Sequence, residues 1–258
     1  MSILFEIEDG IANVTINRPE RMNAVDPATE KELERIWAEI EADEAIRCVV
    51  LTGAGERAFS AGADMKSDSG KSGLEYWASL NPNGFGGIAM RQSLNVPVIA
   101  RVNGLALGGG MEMVLGCDIV IASQTARFGL PEGKVGRLPL DGGMVMLQRL
   151  IPEKIAAGLM LTGRMMSAQD AATYGLVNAV VPAEKLDEEV QSWAQDIASC
   201  APLSIKAIKA TIRKTGHLTP HEARALSIPE LITALESEDA KEGVTAFREK
   251  RAPQWRGC

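Results

Sequence analysis

The chain is poor in the residues that build metal centres and disulfide frameworks. It has two histidines and four cysteines in 258 residues, and no two cysteines form a C-x-x-C pair. His217 and His221 are spaced i, i+4, but Thr219, Pro220 and Glu222 form the signature of a helix start that leaves His217 outside the helix. These patterns predict neither a metal site nor a disulfide scaffold.

Long hydrophobic runs and a basic surplus are also missing. No apolar run has the length of a membrane span, and the first residues lack the basic region and cleavage pattern of a signal peptide. We therefore expect a cytoplasmic protein with no membrane partner. The net charge of −7 argues against a nucleic-acid partner. What the chain does have, 46% hydrophobic residues, is enough for the core of one large domain, with or without an appendage.

The most informative segment spans residues 97–112. An apolar stretch typical of a buried strand runs through Gly108, Gly109 and Gly110 into a helical pattern whose first turn carries Glu112. Consecutive glycines are expected where the backbone turns sharply or where a ligand lies against it. The free N–H groups of a helix start favour an oxygen that gains negative charge. The segment is typical of an oxyanion hole, although a turn that only packs a helix on a sheet is the alternative.

Two further loops strengthen the first interpretation. Residues 53–66 follow a strand-like run and end in small residues that leave backbone amides accessible, so this loop can supply a second donor. Residues 128–136 place Glu132 in a turn rich in glycine and proline, which is a more rigid frame than a solvated surface acid requires. Amides and acids in this order favour carbonyl chemistry.

The order of predicted elements repeats along the chain. Residues 4–7 and 11–16 alternate as strands around Asp9-Gly10, a dipeptide typical of a hairpin turn. A helix then starts at Asp26-Pro27, and its apolar face carries Leu33, Ile36, Trp37 and Ile40. The strand, strand, helix order recurs at 48–52 and 58–61 before a helix around 74–94, and at 98–102 before the Glu112 helix. Such repeats predict a β-β-α spiral rather than an open dinucleotide-binding sheet.

The strand signals fade after residue 182, and the rest of the chain is predicted to be helical. The expected helices cover residues 184–199, 203–214, 220–235 and 239–250. We expect a helical subdomain from about residue 196 onward.

These segments, in this order and spacing, resemble the crotonase superfamily, the enoyl-CoA hydratase/isomerase group. The similarity runs nearly end to end, through residues 60–66, 103–112, 117–118, 131–132, 161–164, 167–171, 175–177, 242–243 and 247–251. It implies an α/β fold with a crotonase-like spiral of repeated β-β-α units over residues 1–195, which holds the catalytic and CoA-binding site. It also implies a C-terminal helical subdomain over residues 196–258 that builds a homotrimer, or a homohexamer arranged as a dimer of trimers.

The resemblance also implies the chemistry. Glu112 and Glu132 match the two family carboxylates, and the amides of Ala63 and Gly109 match the oxyanion pair. These residues would catalyse the reversible addition of water to a 2-enoyl-CoA. Glu112 is expected mainly to activate the water and Glu132 to transfer the α-proton, although two coupled carboxylates share their protons.

The substrate is an acyl-CoA thioester, so coenzyme A enters with the substrate and no further cofactor is expected. Lys66 and the backbone around it, with Ala61 and Asp64, match the region that contacts CoA in the family. Phe247 and Lys250 match tail residues that reach the CoA of an adjacent subunit.

The acyl pocket is the least determined part of the site. Residues 66–87 are irregular yet rich in aromatic residues, which favours a mobile lid over the acyl group, and an ordinary surface loop is the alternative. The predicted pocket residues are Met65, Trp77, Phe85, Asp141 and Gly142. Asp141 departs from the commoner hydratase pattern: it either lines the far end of the pocket and admits a polar or cationic acyl group, or caps the following helix, which is slightly favoured.

Several functions remain open at this point. Partial similarity of the tail and of residues 81–85 to carnitinyl-CoA dehydratases favours a polar acyl-CoA. An enoyl-CoA isomerase needs only one carboxylate to move a proton between carbons. A thioester hydrolase or a dehalogenase would need a different acid or nucleophile. A non-catalytic CoA-binding or RNA-binding scaffold would not require the glutamates, and both are present.

Overall fold

Two β-sheets and a row of C-terminal helices make up the fold. The computed structural model describes residues 1–67 and 70–258. The strands are β1 (Ile3–Glu8), β2 (Ile11–Ile16), β3 (Cys48–Gly53), β4 (Ala58–Ser60), β5 (Val98–Val102), β6 (Leu105–Leu107), β7 (Ile119–Ser123), β8 (Arg127–Gly129), β9 (Met166–Ser167) and β10 (Ala179–Val181). The larger sheet has six strands in the order β1-β2-β3-β5-β7-β10, and the smaller has four in the order β4-β6-β8-β9.

The two sheets are linked by a repeated connection. Strands β3, β5 and β7 of the larger sheet lead directly into β4, β6 and β8 of the smaller sheet, and neighbouring strands of these two sets run parallel. Only β1, paired with β2, and β9, paired with β8, are antiparallel to their neighbours within the described chain. This connectivity confirms the predicted β-β-α spiral and excludes an open dinucleotide-binding sheet.

The first repeat follows the sequence prediction closely. Asp9 and Gly10 both have positive φ, at 49° and 75°, as a two-residue hairpin turn requires, and Glu8 pairs with Ile11 across it. Helix α1 (Pro27–Ala42) begins with Asp26 as its N-cap, whose carboxylate accepts a hydrogen bond from the Thr29 N–H at 2.8 Å. The predicted apolar face is buried in the main core, through Leu33, Ile36, Trp37 and Ile40.

The second repeat differs from the prediction. In place of a long helix at 74–94, the chain forms a short helix α2 (Gly73–Ala78) and a 3-10 turn at Phe85–Gly87. Gly84, Gly86 and Gly87 all have positive φ, which an α-helix does not accommodate. The later apolar side chains of this stretch, such as Phe85 and Ile88, are buried, whereas Leu74 and Trp77 are exposed.

The remaining helices are α3 (Gly109–Gly116), α4 (Gly143–Leu150), α5 (Glu153–Thr162), α6 (Ala168–Thr173), α7 (Leu186–Ala198), α8 (Pro202–Thr215), α9 (Pro220–Ala225), α10 (Pro229–Glu236) and α11 (Glu238–Glu249). Of these, α3 to α6 lie between strands along the chain, and α7 to α11 follow the last strand. The predicted helix at 220–235 is split, because a residue before proline avoids the helical region and Ile228, before Pro229, is extended. None of the helices in the described ranges is long and apolar enough to cross a membrane.

The C-terminal helices are attached to the sheets by packing and by an ion pair. Helix α7 packs on β3, β5 and β7, and the predicted division between residues 195 and 196 lies inside it and stays a prediction. Lys209 of α8 is buried, and its Nζ lies 2.7 Å from an Asp118 carboxylate oxygen that also accepts the Val98 N–H. This carboxylate joins α8 to the start of β5, beneath the strand that leads to the glycine-rich segment.

The start of helix α3 is held against the smaller sheet by close backbone contact. A Cβ atom on Gly110 would lie 2.1 Å from the Ser60 carbonyl oxygen, and one on Gly109 would lie 2.5 Å from the Phe85 ring. Neither distance is sterically possible for a real side chain. Close packing therefore explains why both residues are glycines, which is the alternative that the sequence raised. The oxyanion interpretation depends on the backbone amides alone.

We expect Gly110→Ala to destabilise the protein by about 1–3 kcal/mol, the usual cost of overpacking, because the added methyl group must push α3 away from the Ser60 carbonyl. Gly158→Ala is the matched control: Gly158 lies within α5, and a Cβ there meets no atom within 4 Å. That variant should be neutral or more stable by up to about 1 kcal/mol. Thermal unfolding followed by circular dichroism tests both, and equal melting temperatures for the two variants would refute the steric argument.

Candidate active site

Glu112 is a deeply buried carboxylate in the first turn of α3. Its side chain points from the helix into the protein, and the residue is only 3% exposed. Its Oε1 accepts a hydrogen bond from the Gly143 N–H at 2.9 Å. A Cβ atom on Gly143 would lie 3.1 Å from this oxygen and 2.7 Å from Pro139 Cβ, so the absence of a side chain at residue 143 allows the backbone to reach the carboxylate.

Glu132 lies beside the start of the same helix. It follows β8 and opens a 3-10 helix at Glu132–Val135. A Cβ atom on Gly108, which has a φ of +56°, would lie 3.0 Å from Glu132 Oε1. Glu132 Oε2 is buried and has no hydrogen-bond partner among the residues that the structure describes. A buried carboxylate oxygen of this kind is available to a water molecule or a substrate.

Burial makes both carboxyl groups weaker acids than an ordinary glutamate. It raises the pKa of Glu112 to about 8, with further increases from the charges of Asp141 and Glu132 and an opposing effect from the Gly143 amide. Burial also raises the pKa of Glu132 above its ordinary value. Both groups therefore hold their protons to a higher pH than an ordinary glutamate does. Two neighbouring carboxyl groups of this kind titrate as a pair, and such a pair can supply an acid and a base.

The amides of Ala63 and Gly109 are the predicted oxyanion donors, and their loops touch. A Cβ atom on Gly62, which has a φ of +84°, would lie 2.8 Å from the Gly109 nitrogen. Hydrogen bonds from Val25 N–H to Gly62 O and from Asp64 N–H to Val25 O, at 2.8 and 2.9 Å, hold the loop on either side of Ala63. Within residues 1–67 and 70–258, neither predicted donor is used by another protein group. Both N–H groups are free to bind a ligand oxygen.

Asp141 does not cap a helix, so the slightly favoured interpretation of this residue is wrong. Gly142 is the N-cap of α4, and no side chain caps it. The Asp141 carboxylate turns inward, is 5% exposed, and accepts a hydrogen bond from the Tyr76 hydroxyl at 2.5 Å. Burial raises the pKa of Asp141, and the Tyr76 hydrogen bond opposes that rise. Tyr76 belongs to α2, within the predicted lid, so this contact connects the lid to the catalytic region.

The other predicted acyl-pocket residues are divided between the interior and the surface. Phe85 is buried against Gly109, as described above, and Gly142 lies next to Asp141, where a Cβ would meet Met90 Sδ at 2.9 Å. Met65 and Trp77 are exposed, and no contact brings them to the carboxylates. Residues 68 and 69 of the predicted lid at 66–87 lie outside the described residues.

The predicted CoA-binding residues form two separate groups. Ala61, Asp64 and Lys66 share one turn: the Ala61 N–H donates to Met22 O, and the Asp64 carboxylate accepts from Lys66 N–H at 3.1 Å and from Arg18 at 3.0 Å. Lys66 itself is exposed. Phe247 and Lys250 are exposed at the end of α11, which packs on α10, and their contact with a neighbouring subunit stays a prediction.

The sequence prediction missed Glu30, a half-buried acid on α1. Burial is the main cause of its raised pKa, and the charges of Asp141 and Glu34 add to it. Burial and the Asp141 hydrogen bond raise the pKa of Tyr76, and the charges of Asp141, Glu30 and Glu112 raise it further. These three acids therefore lie around the same small region. The available signal was the position of Glu30 three residues before Leu33, on the buried side of α1.

The chain is similar to known proteins along nearly its whole length. Residues 6–258 match the enoyl-CoA hydratase/isomerase family. The chain is 42% identical to the (E)-benzylidenesuccinyl-CoA hydratase of Thauera aromatica over 100% of both chains. It is 38% identical to the carnitinyl-CoA dehydratase of Escherichia coli K12, over 96% of this chain and 95% of that one.

The fold is similar to that of solved structures. An enoyl-CoA hydratase from Mycobacterium tuberculosis H37Rv superimposes with a TM-score of 0.91 at 33% identity, covering 100% of this chain and 99% of the other. An enoyl-CoA hydratase from Bacillus anthracis gives a TM-score of 0.91 at 35% identity, with 100% of both chains covered.

The electrostatics of the site predict a measurable titration. We expect the Glu112 side chain of the substrate-free protein to titrate at about pH 8, seen by NMR of protein with carbon-13 in its glutamate carboxyl groups and assigned by loss of the signal in Glu112→Gln. Glu132→Gln should lower that pKa, because it removes a neighbouring negative charge. Glu153→Gln, at an exposed residue of α5, should leave it unchanged. A Glu112 signal that titrates near 4.5 would contradict the burial argument.

Proposed function

Because the chain belongs to the enoyl-CoA hydratase/isomerase family, we propose that it catalyses the reversible addition of water to the double bond of a 2-enoyl-CoA thioester. One observation carries this proposal. Glu112, which is buried in the first turn of α3, and Glu132, whose Oε2 atom is buried beside that turn, accompany two backbone amides that no described residue uses. Water addition to a conjugated thioester needs an acid, a base and an oxyanion site, and these groups supply all three.

The reaction would proceed by paired proton transfers. One glutamate takes a proton from a water molecule as its oxygen bonds to the β-carbon, and the other gives a proton to the α-carbon. The electron pair of the double bond passes through the thioester carbonyl, whose oxygen gains negative charge between the Ala63 and Gly109 amides. Each donor of this kind contributes about 3–4 kcal/mol to the stability of the transition state.

The assignment of the two roles is part of the proposal. Glu112 is proposed as the base toward water and Glu132 as the α-proton donor. Burial raises the pKa of Glu112 to about 8 in the substrate-free protein, so Glu112 must lose its proton before it can act as this base. The catalytic state is then the one in which Glu112 is ionised and Glu132 holds the proton.

The CoA moiety is proposed to bind beside the Ala61–Lys66 turn. The Arg18–Asp64 ion pair, at 3.0 Å, supports this turn and leaves the Lys66 ammonium group available for a phosphate. Phe247 and Lys250 are proposed to complete the site from a neighbouring subunit of a homotrimer or a dimer of trimers. This arrangement would use an aromatic side chain that is otherwise exposed to water.

We expect Glu112→Gln and Glu132→Gln each to lower the hydration rate by about 10²–10⁴-fold, the usual contribution of a general acid or base, while acyl-CoA binding persists. The measurement is loss of the conjugated thioester absorbance of crotonyl-CoA, with mass spectrometry of the product and calorimetric binding of a saturated acyl-CoA. Glu153→Gln serves as the control.

The same assay separates the competing functions. Retention of hydration by either glutamine variant would refute the two-glutamate mechanism. A product of unchanged mass with a shifted double bond would identify an isomerase. Binding of acyl-CoA without turnover on any substrate would favour a CoA-binding scaffold.

A second candidate function concerns the acyl group. Asp141 is buried and does not cap α4. Its charge raises the pKa of Glu30 and of Glu112, so the region beyond the catalytic pair is rich in acidic groups. Such a region attracts a cationic acyl substituent and repels an anionic one. This observation favours an activity similar to that of the carnitinyl-CoA dehydratases, whose substrate name denotes a cationic acyl group, over that of the benzylidenesuccinyl-CoA hydratase.

The acyl preference can be tested with a substrate panel. We expect kcat/KM to be higher for crotonobetainyl-CoA than for crotonyl-CoA, and lowest for benzylidenesuccinyl-CoA, because the acidic groups favour positive charge. Asp141→Asn should reduce the preference for the cationic substrate by removing one negative charge. A preference for benzylidenesuccinyl-CoA would refute this second candidate and leave the hydratase proposal intact.

A further inference from the structure

The glycine loop, Gly142 and Gly143, connects Asp141 to the first turn of α4. The Gly143 amide donates the hydrogen bond to the Glu112 carboxylate, and Gly142, with a φ of +124°, joins this donor to Asp141. The position of the donor therefore depends partly on what holds Asp141.

The Asp141 side chain is positioned to anchor the glycine loop. It directly precedes the two glycines, is 5% exposed, and is bound by the Tyr76 hydroxyl at 2.5 Å. Hydrogen bonds to an ionised carboxylate are stronger than those between neutral groups. The Tyr76 side chain comes from α2, a helix fixed at its start by a capping box between Ser72 and Glu75. A continuous path of contacts thus runs from α2 through Asp141 and the glycine loop to Glu112.

We propose that Tyr76 and Asp141 form a positioning pair for Glu112: the hydroxyl of α2 fixes the glycine loop whose Gly143 amide holds the catalytic carboxylate. This inference rests on the proposed hydratase function, and it assigns a role to two residues that do not touch the reacting atoms. It also means that α2 must be in place for Glu112 to be correctly oriented.

The pair acts on Glu112 through charge as well as through geometry. The charged and titratable groups around the path are Glu132, Asp141, Tyr76, Glu30, Glu34 and Lys71. The Asp141 charge raises the pKa of Glu112, so its removal should lower that pKa. Loss of the Tyr76 hydroxyl removes the hydrogen bond and leaves the Asp141 carboxylate present. The two contributions can therefore be separated by substitution.

The experiment compares four single variants of the protein and the double variant Tyr76→Phe/Asp141→Ala. Tyr76→Phe and Asp141→Ala remove the hydrogen bond from either side, whereas Asp141→Asn keeps an acceptor oxygen without the charge. Tyr174→Phe is the matched control, since Tyr174 is the second of two tyrosines in the chain and packs against the core in α6's C-cap position. Steady-state hydration gives kcat and KM, and NMR reports the Glu112 titration and the hydrogen exchange of the Gly143 amide.

We expect Tyr76→Phe and Asp141→Ala each to lower kcat by about tenfold, the effect of one hydrogen bond, with KM changed less than kcat. The Gly143 amide should exchange faster in both, and the double variant should be no worse than the poorer single one, because both break the same contact. Asp141→Asn should recover kcat relative to Asp141→Ala and still lower the pKa of Glu112. Tyr174→Phe should behave as the unmodified protein in every measurement.

Two results would overturn the inference: unchanged Gly143 exchange in Tyr76→Phe and Asp141→Ala, or additive losses of kcat in the double variant. Failure of the proposed function gives a different result, which is absence of hydration by the unmodified protein. The NMR measurements need no turnover, so they test the positioning pair even in that case.

Discussion

The whole site depends on close backbone contact between the start of helix α3 and the loop that follows β4. Gly62 lies against the Gly109 nitrogen, and Gly110 lies against the Ser60 carbonyl, at distances that no larger residue permits. This contact brings two amides from distant parts of the chain to one place. It also fixes the direction in which α3 leaves the sheet, and so the direction in which Glu112 points. The same glycines therefore determine both the packing and the chemistry.

The second constraint is the burial of acidic groups without a matching buried cation among their described partners. Glu112 and Glu132 lose solvation and receive little compensation, so their pKa values rise toward neutrality. In a structural role this would only cost stability. In the proposed hydratase site, it would allow a base and an acid to be present at the same pH. The Asp141 charge raises the pKa of Glu112 further, although the Asp141 side chain does not contact Glu112.

The sequence predicted the elements whose signals are local. The Asp9-Gly10 hairpin and the helix beginning at Asp26-Pro27 were confirmed, because turn and cap chemistry act over a few residues. The helices at 74–94 and 220–235 were wrong, since glycines with positive φ and Pro229 interrupted them. The predicted fold class was confirmed, and the roles of the predicted site residues stay proposals.

By itself, the sequence determined the order of the β-β-α repeats, the family, and the residues that can act as acids and as amide donors. The repeats follow from residue type and spacing along the chain, whereas the family and the candidate residues follow from the resemblance to the crotonase superfamily. Only the tertiary structure decided that Asp141 binds Tyr76 rather than capping α4, that Glu30 joins the acidic region, and that Met65 and Trp77 lie at the surface. The physical reason is that these contacts join segments far apart in the chain, where burial and distance depend on how the sheets and helices pack.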